Sequence, residues 1–380
     1  METRKLYYED SHLRCFSAKV LRCTPVEGGY QVVLDATAFY PEGGGEAPDL
    51  GVLAGAKVLD VQEKEGEILH LCDSPLPVGE TVTGEIDWER RFDLMQQHTG
   101  EHIISGLIHD KFGYMNTGFH VGADAMEVDF DGPVSSEDLA EIERKANEAV
   151  WANIPLQCWI PTPEELPGVF YRTKRALPWP VRIVQVPGYD SCACCGVHVK
   201  HTGEVGLIKI LSCVSLRGGI RMELVCGKRA YRHIVTVFEE NRRVSQAFSA
   251  PMNNTGEAAQ KMNEALAAEK SRAIGLQNRI LDGVAESYVN CAEVLHFEPE
   301  LDGNALRYVT DKIARVCNGR VAVFSGTEGN YAYCLAQREG DLRQLNKTMC
   351  ETLNGRGGGK PHFQQGTVRA TKDEILKFFA

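Results

Sequence analysis

The sequence predicts a multidomain α+β protein: a small N-terminal β-barrel, an α+β metal-bearing domain, a long helical hairpin or stalk, and a C-terminal α/β domain. Three observations carry this expectation. Short β-type runs recur roughly every ten residues up to residue 86. A strong helical period follows over 87–112. A helical pattern then fills 228–290, before β and α signals alternate to the end.

Residues 1–86 hold the runs Cys15-Phe-Ser-Ala-Lys-Val-Leu-Arg-Cys, Tyr30-Gln-Val-Val-Leu and Lys57-Val-Leu-Asp-Val-Gln, separated by Gly, Pro and acidic turns. Their even spacing fits a small barrel or sandwich. Between them lies Phe39-Tyr-Pro-Glu-Gly-Gly-Gly-Glu. Gly43, Gly44 and Gly45 free the backbone for positive φ and close approach. The run reads either as a tight turn or as a loop that offers bare N–H groups to an RNA end. No Lys-Ser/Thr follows, so it is not a nucleotide P-loop.

Over 87–112, Phe92, Met95, Thr99, Ile103 and Leu107 recur at helical spacing, with Asp87 as N-cap and Gly113 as terminator, which predicts an amphipathic helix. The segments 117–122 and 126–130 read as a hairpin leading to a strand, and Ser135 caps a helix running to about residue 153. Strand-like runs at 155–160, 181–186, 205–211 and 221–226 complete an α+β domain over 87–227. The pattern of 228–290 breaks only at 249–256, as expected for an antiparallel hairpin or dimer stalk. In 291–380, the run 304–309 precedes a helix and 320–325 and 331–336 are strands. The glycine-rich run 355–366 interrupts, and a last helix starts at Thr371.

Hydrophobic content of 43% and charged content of 24% are ordinary for a soluble globular chain. Residues 1–10 have no apolar core of signal-peptide length, and no apolar run reaches membrane-spanning length. Thirteen scattered cysteines, an odd number, do not form a disulfide framework and point to a reducing cytoplasm. The net charge is −11, with −14 in residues 1–227 and a slight basic excess beyond. Screening confines fields to about 10 Å, so this balance neither requires nor excludes an RNA partner.

His98 and His102 sit four apart on the predicted helix, one turn above each other, and present half of a tetrahedral metal site. The other half is offered by Asp190-Ser-Cys-Ala-Cys-Cys-Gly-Val-His-Val-Lys-His, where cysteines and histidines crowd together too densely for packing to explain. Zinc suits such borderline-soft donors. Cys194 with His198 gives one pairing, and Cys192 with Cys195 gives a Cys-x-x-Cys that would make a purely structural site. Thr99 would present a hydroxyl near the metal, and Gly100 would make room for a substrate. The helix also reads as His-x-x-Glu-His, the inverzincin peptidase pattern with Glu101 as base, but that chemistry wants a downstream carboxylate ligand on another helix.

These motifs together resemble those of the long-form alanyl-tRNA editing proteins, the AlaX-type relatives of the alanyl-tRNA synthetase editing domain. Phe39-Tyr-Pro-Glu-Gly-Gly-Gly is similar to that family's glycine-rich motif, and Gln97-His-Thr-Gly-Glu-His to its His-x-x-x-His motif. Cys194-Cys-Gly-Val-His-Val is similar to its Cys-x-x-x-His motif, followed by Thr202-Gly-Glu-Val-Gly. Gly357-Gly-Gly-Lys-Pro-His-Phe-Gln-Gln-Gly resembles the glycine-rich segment of the synthetase's C-terminal domain.

The resemblance implies hydrolysis of a wrong amino acid, serine or glycine, from the 3′ end of tRNA(Ala). It implies zinc on His98, His102, Cys194 and His198, and a Thr99 hydroxyl that recognises serine. It further implies substrate contacts from Gly43, Gly44 and Gly45, and a C-terminal part, with Gly357, Gly358, Gly359 and Lys360, that grips tRNA or mediates a homodimer. The class II aminoacylation core is not expected in the short 1–86 segment. A zinc-stabilised tRNA-binding module without chemistry is the alternative, distinguished by whether the metal site is closed or opens onto a pocket.

The chain also departs from the family pattern. Glu46 stands where Gln is common after the glycines, and Cys195 and Val197 replace the Gly and Thr of Cys-Gly-Gly-Thr-His. Glu101 occupies a position that usually carries no acid in the synthetase, and the sequence assigns it no role.

Overall fold

A computed structural model describes residues 2–173 and 177–380. The chain divides into two compact units, Met1–Asn241 and Arg242–Ala380, with the boundary inside a long helix, Gly227–Phe248. Both units mix helices with sheets.

In the first unit six strands close into a barrel in the order Cys15–Val26, Gly29–Leu34, Glu67–Cys72, Ala56–Lys64, Gly51–Leu53, Thr81–Ile86. Alternation drives the closure. Thr81–Ile86 is exposed and buried residue by residue, so Val82 and Ile86 enter a core shared with Phe16, Val20, Leu34 and Val61. The segment carrying the three glycines leaves the barrel wall and is tied to the next helix by a buried ion pair. Arg91 donates through Nε to Asp49 at 2.8 Å and through Nη2 to the Ala38 carbonyl at 2.6 Å. Such a pair contributes fixed geometry more than net stability.

The helix Trp88–Phe112 starts where Asp87 accepts the Arg90 N–H and stops at Gly113, whose φ is 76°. It is not amphipathic in the expected way. Residues 94 to 106 are buried without a break, because the barrel segment, the sheets and the cysteine loop enclose the helix. Its polar residues therefore need partners. Gln97 exchanges two hydrogen bonds with the Cys226 backbone, and Gln96 donates to the Glu204 carbonyl. A methyl group at Gly100 would lie 2.2 Å from Cys226 Sγ, so this glycine admits the neighbouring strand, where the sequence suggested room for a substrate. Gly106 likewise admits the backbone of Tyr189, which a methyl there would meet at 2.3 Å.

Two sheets flank this helix. One has four antiparallel strands in the order Ile208–Leu216, Gly219–Cys226, Met126–Phe130, Asn116–Val121. The other has three, Gln157–Trp159, Ile183–Val186 and Asp190–Ala193. Ser136–Trp151, capped by the Ser135 hydroxyl, buries Ile142, Ala146 and Val150.

The second unit holds the helix Thr255–Glu286 and a five-stranded sheet in the order Val294–Phe297, Val321–Thr327, Asn330–Ala336, Phe363–Val368, Arg356–Lys360. Residues 304–309 form the first turns of a helix, Gly303–Val316, begun by the Asp302 side chain. The glycine-rich run does not interrupt the sheet. It supplies the edge strand, because bare α-carbons at Gly357 and Gly366 leave space for the Tyr333 hydroxyl, 2.1 and 2.7 Å from where their methyls would lie. Val235, Phe238, Met262, Leu266 and Ile274 on the long helices remain substantially exposed. Among the described residues no helix is long and apolar enough to cross a membrane.

Candidate metal centre

Four side chains converge on one point. His98 and His102 come from the buried helix, and Cys194 and His198 from the loop after Asp190–Ala193. One potential ligand atom from each lies within 4.8 Å of all the others. Cys194 Sγ is 3.4 Å from both His98 Nε2 and His198 Nε2.

What lies behind the ligands is as specific. His98 Nδ1 donates to Glu46 Oε2 at 2.8 Å, and His198 Nδ1 lies 3.1 Å from Thr99 Oγ1. His102 Nδ1 sits 3.0 Å from Asp190 Oδ2, close but off the hydrogen-bond line. Asp190 is itself held by two bonds from Arg172. With an oxygen beside each Nδ1, the Nε2 atoms of His98 and His198 face Cys194 Sγ, the arrangement that presents neutral imidazoles to a metal. Burial alone would raise the Cys194 thiol, but His98, His102 and His198 pull it well below its ordinary value. Burial pushes the Cys192 and Cys195 thiols up instead. Cys194 stands with the three histidines, whereas Cys192 groups instead with His102 and Asp190. Three imidazoles and one thiolate fit zinc in number and softness. Asp190 approaches His102 from the Nδ1 side, behind the ring, unlike the third ligand an inverzincin needs.

The loop that carries Cys194 is clamped through its carbonyls. Arg182 Nη1 donates to the carbonyls of Cys194 and Gly196 at 3.0 and 2.9 Å, and the Tyr8 hydroxyl donates to that of Cys195 at 2.7 Å. The Arg182 guanidinium lies over the Tyr8 ring at 4.5 Å. Gly196 is the pivot, since a methyl there would lie 2.1 Å from the His98 ring.

The group borders a cavity of about 1100 Å³ whose wall includes His98, His102, Cys194, Gly44 and Gly45. Gly44 and Gly45 adopt positive φ, 62° and 88°, and Phe119 packs where a side chain at Gly45 would go. Gly43 lies just behind them, paired with Glu46 across a tight turn. Thr99 is fully buried and outside the cavity wall, its oxygen engaged by His198 and by the Val199 N–H. Glu46 supplies an acceptor where a donor was in question. Its Oε2 takes the His98 and Val197 N–H groups, and its buried Oε1 has no partner among the described residues.

Gly357, Gly358 and Gly359 line a separate groove of about 640 Å³ in the second unit, with Arg343, Lys347 and Arg356. Lys360 is exposed at the end of the same strand.

Sequence reasoning missed Glu46 as a partner of His98, and also Asp190, Arg172, Arg182 and Tyr8. Asp190 had a usable signal, an acid at the head of the cysteine cluster. The others are brought in by tertiary contact alone.

Comparison with known proteins gives two family matches. The threonyl and alanyl tRNA synthetase second additional domain matches residues 181–221, which include Cys194 and His198. The description tRNA synthetases class II (A) matches residues 12–90, which fold here as the closed barrel. Over 400 residues the chain is 30% identical to alanyl-tRNA editing protein AlaX-L of Pyrococcus horikoshii, covering 98% of this chain and 96% of that protein. It is 27% identical to alanyl-tRNA editing protein Aarsd1 of Mus musculus, covering 97% and 94%. Alanine–tRNA ligase of Thermofilum pendens is 31% identical over 98% of this chain, which spans only 43% of the ligase.

Proposed function

The chain belongs to the alanyl-tRNA editing proteins, and from that premise we propose that it hydrolyses the ester joining a wrong amino acid, serine first and glycine second, to the 3′ end of tRNA(Ala). One observation carries the reading: three of the four clustered ligand side chains reach the wall of a roomy, open cavity beside a bare glycine backbone. A metal site sealed on every side would suit a binding module instead. At about 1100 Å³ the cavity is at the upper end of small-molecule sites, a size suited to a nucleotide with its amino acid attached.

His98, His102 and His198 through Nε2, and Cys194 through Sγ, would hold zinc. When bound, zinc supplies Lewis acidity toward an ester carbonyl or a water. The protein's own part is orientation. Glu46, Asp190 and Thr99 fix the three rings, while Tyr8 and Arg182 fix the loop. An aminoacyl ester is already activated, so alignment and charge stabilisation suffice, and no nucleotide is consumed. Gly44 and Gly45 would let the end of the tRNA approach the backbone closely. The groove around Gly357–Gly359 with Lys360 would take tRNA phosphates, and the exposed apolar residues of the long helices would pair two copies. Thirteen unpaired cysteines suit a reducing cytoplasm.

The test is deacylation of Ser-tRNA(Ala), Gly-tRNA(Ala) and Ala-tRNA(Ala) by the zinc-loaded wild type beside Cys194→Ala. Loss of Ser-tRNA(Ala) that spares Ala-tRNA(Ala) and vanishes in the variant is the expected result. If the wild type leaves all three intact, the enzyme reading fails and the binding module replaces it.

A further inference from the structure

Glu101 is, among the described residues, the one buried acidic residue in the cavity wall, and neither the metal cluster nor an ion pair accounts for it. It follows His98 by three residues and directly precedes His102, and it lines the same cavity. Its Oε1 accepts the Asn116 side-chain N–H at 2.5 Å and the Ser105 hydroxyl. Among the described residues both of its hydrogen bonds fall on Oε1, which leaves Oε2 as the oxygen free to take a ligand from the cavity. The residue is only 5% exposed, and no ion pair reaches it among the described residues. Arg172, also in the wall, is engaged by two bonds to Asp190.

A carboxylate this short of water calls for a cation that donates hydrogen bonds. We propose that Glu101 binds the α-ammonium group of the aminoacyl ester through its free oxygen, so that the site accepts esters of free amino acids and disfavours those whose amine is blocked or absent. This rests on the editing reading above and names what that site recognises. The chemistry matches in connectivity. The ammonium sits on the carbon next to the ester carbonyl, and Glu101 sits next to a metal ligand. Asn116 and Ser105, by holding Oε1, aim Oε2. A neutral hydroxyl would not balance the charge, so serine's side chain is not the group Glu101 selects. Serine, glycine and alanine all carry the ammonium, and Glu101 contributes binding common to the three.

The experiment pairs one residue with one substrate group. Ser-tRNA(Ala) is treated with nitrous acid to give the glyceroyl ester, in which a hydroxyl replaces the ammonium at nearly the same volume. Deacylation of both esters is measured with zinc-loaded wild type and Glu101→Gln, each rate divided by the spontaneous hydrolysis of that ester. A charge-assisted hydrogen bond corresponds to a change in kcat/KM of about 10- to 100-fold. Wild type is expected to lose that factor on the glyceroyl ester. Glu101→Gln is expected to lose a similar factor on Ser-tRNA(Ala), with no further loss on the glyceroyl ester and with wild-type zinc content and melting temperature. Wild type treating both esters alike overturns the proposal whatever the variant does. Equal losses on both esters in Glu101→Gln overturn it too, by making the residue structural or a base. Wild type that hydrolyses neither ester overturns the editing reading itself, and this proposal with it.

Discussion

Glu46 and His98 meet across 52 residues of chain, with Oε2 of the first 2.8 Å from Nδ1 of the second. The same oxygen accepts the Val197 N–H at 3.2 Å, so one carboxylate holds a ligand from the helix and the loop that carries two more. Removing such a partner costs a metal site about 10- to 100-fold in affinity. Glu46→Ala is expected to weaken zinc binding by that factor in a chelator competition. Glu46→Gln keeps an acceptor and brings an amide to the partnerless Oε1 side, and should lose less. Equal, unchanged affinities in both variants would show that the contact does not tune the site.

Thr99 tests two roles that differ in outcome. Its oxygen lies against His198 Nδ1 and receives the Val199 N–H, so Thr99→Val should weaken zinc binding and slow deacylation of Ser-tRNA(Ala) and Gly-tRNA(Ala) together, by about tenfold. A residue that reads the serine hydroxyl would instead lose Ser-tRNA(Ala) alone. Parallel assays of the two substrates separate these outcomes.

Gly100 and Cys226 form a knob and its socket. Gly100→Ala forces a methyl to within 2.2 Å of Cys226 Sγ and is expected to destabilise the chain by about 1–3 kcal/mol in urea unfolding. Cys226→Ala removes that sulfur, so the double variant should recover part of the loss. Additive losses would mean that the crowding lies elsewhere.

His70 makes the barrel acid-sensitive. Its ring is enclosed, with Nδ1 donating to the Val32 carbonyl and Nε2 facing the Thr37 hydroxyl, and burial pushes it down to about 4. The unfolded chain takes up a proton near pH 6.5 while the folded chain does not until about 4, so stability falls as pH drops through that window. Between pH 7 and pH 5 this group accounts for about 2 kcal/mol. Unfolding of His70→Gln should show a flatter acid limb than wild type by that amount.

The glycine-edged groove is tested by salt. Lys347→Glu and Arg356→Glu should weaken tRNA binding at low ionic strength and reduce the slope of log affinity against log salt by about one for each lost phosphate contact. Zinc content should not change. A slope identical to wild type would remove the groove from the tRNA path.

The ligands were legible because they repeat a local pattern: two histidines one turn apart, and a cysteine–histidine cluster too dense for packing. Their orientation was not. At about 100° per residue, Thr99 and Glu101 lie on opposite flanks of the His98/His102 pair, each about 60° from the nearer histidine. Which flank meets the cavity depends on where the cysteine loop docks, and that is a tertiary fact. Three of the six barrel strands, Cys15–Val26, Gly29–Leu34 and Ala56–Lys64, were legible as short β-type runs between turns, while Gly51–Leu53, Glu67–Cys72 and Thr81–Ile86 were not read. The edge strand at Arg356–Lys360 was not legible either, because glycines carry no alternation to read. The buried helix misled for a related reason: its polar residues marked internal hydrogen bonds, where polarity usually marks solvent.

Tyr8 and Glu46 come from the N-terminal part of the first unit, yet one holds the Cys195 carbonyl and the other a histidine ring. A fragment starting at Asp87 would carry all four candidate metal ligands and still lack both of these supports. The ligand motifs are therefore not a transplantable cassette. A recombination joint placed just before the helix would pass on the candidate donors without the two contacts that hold them from upstream.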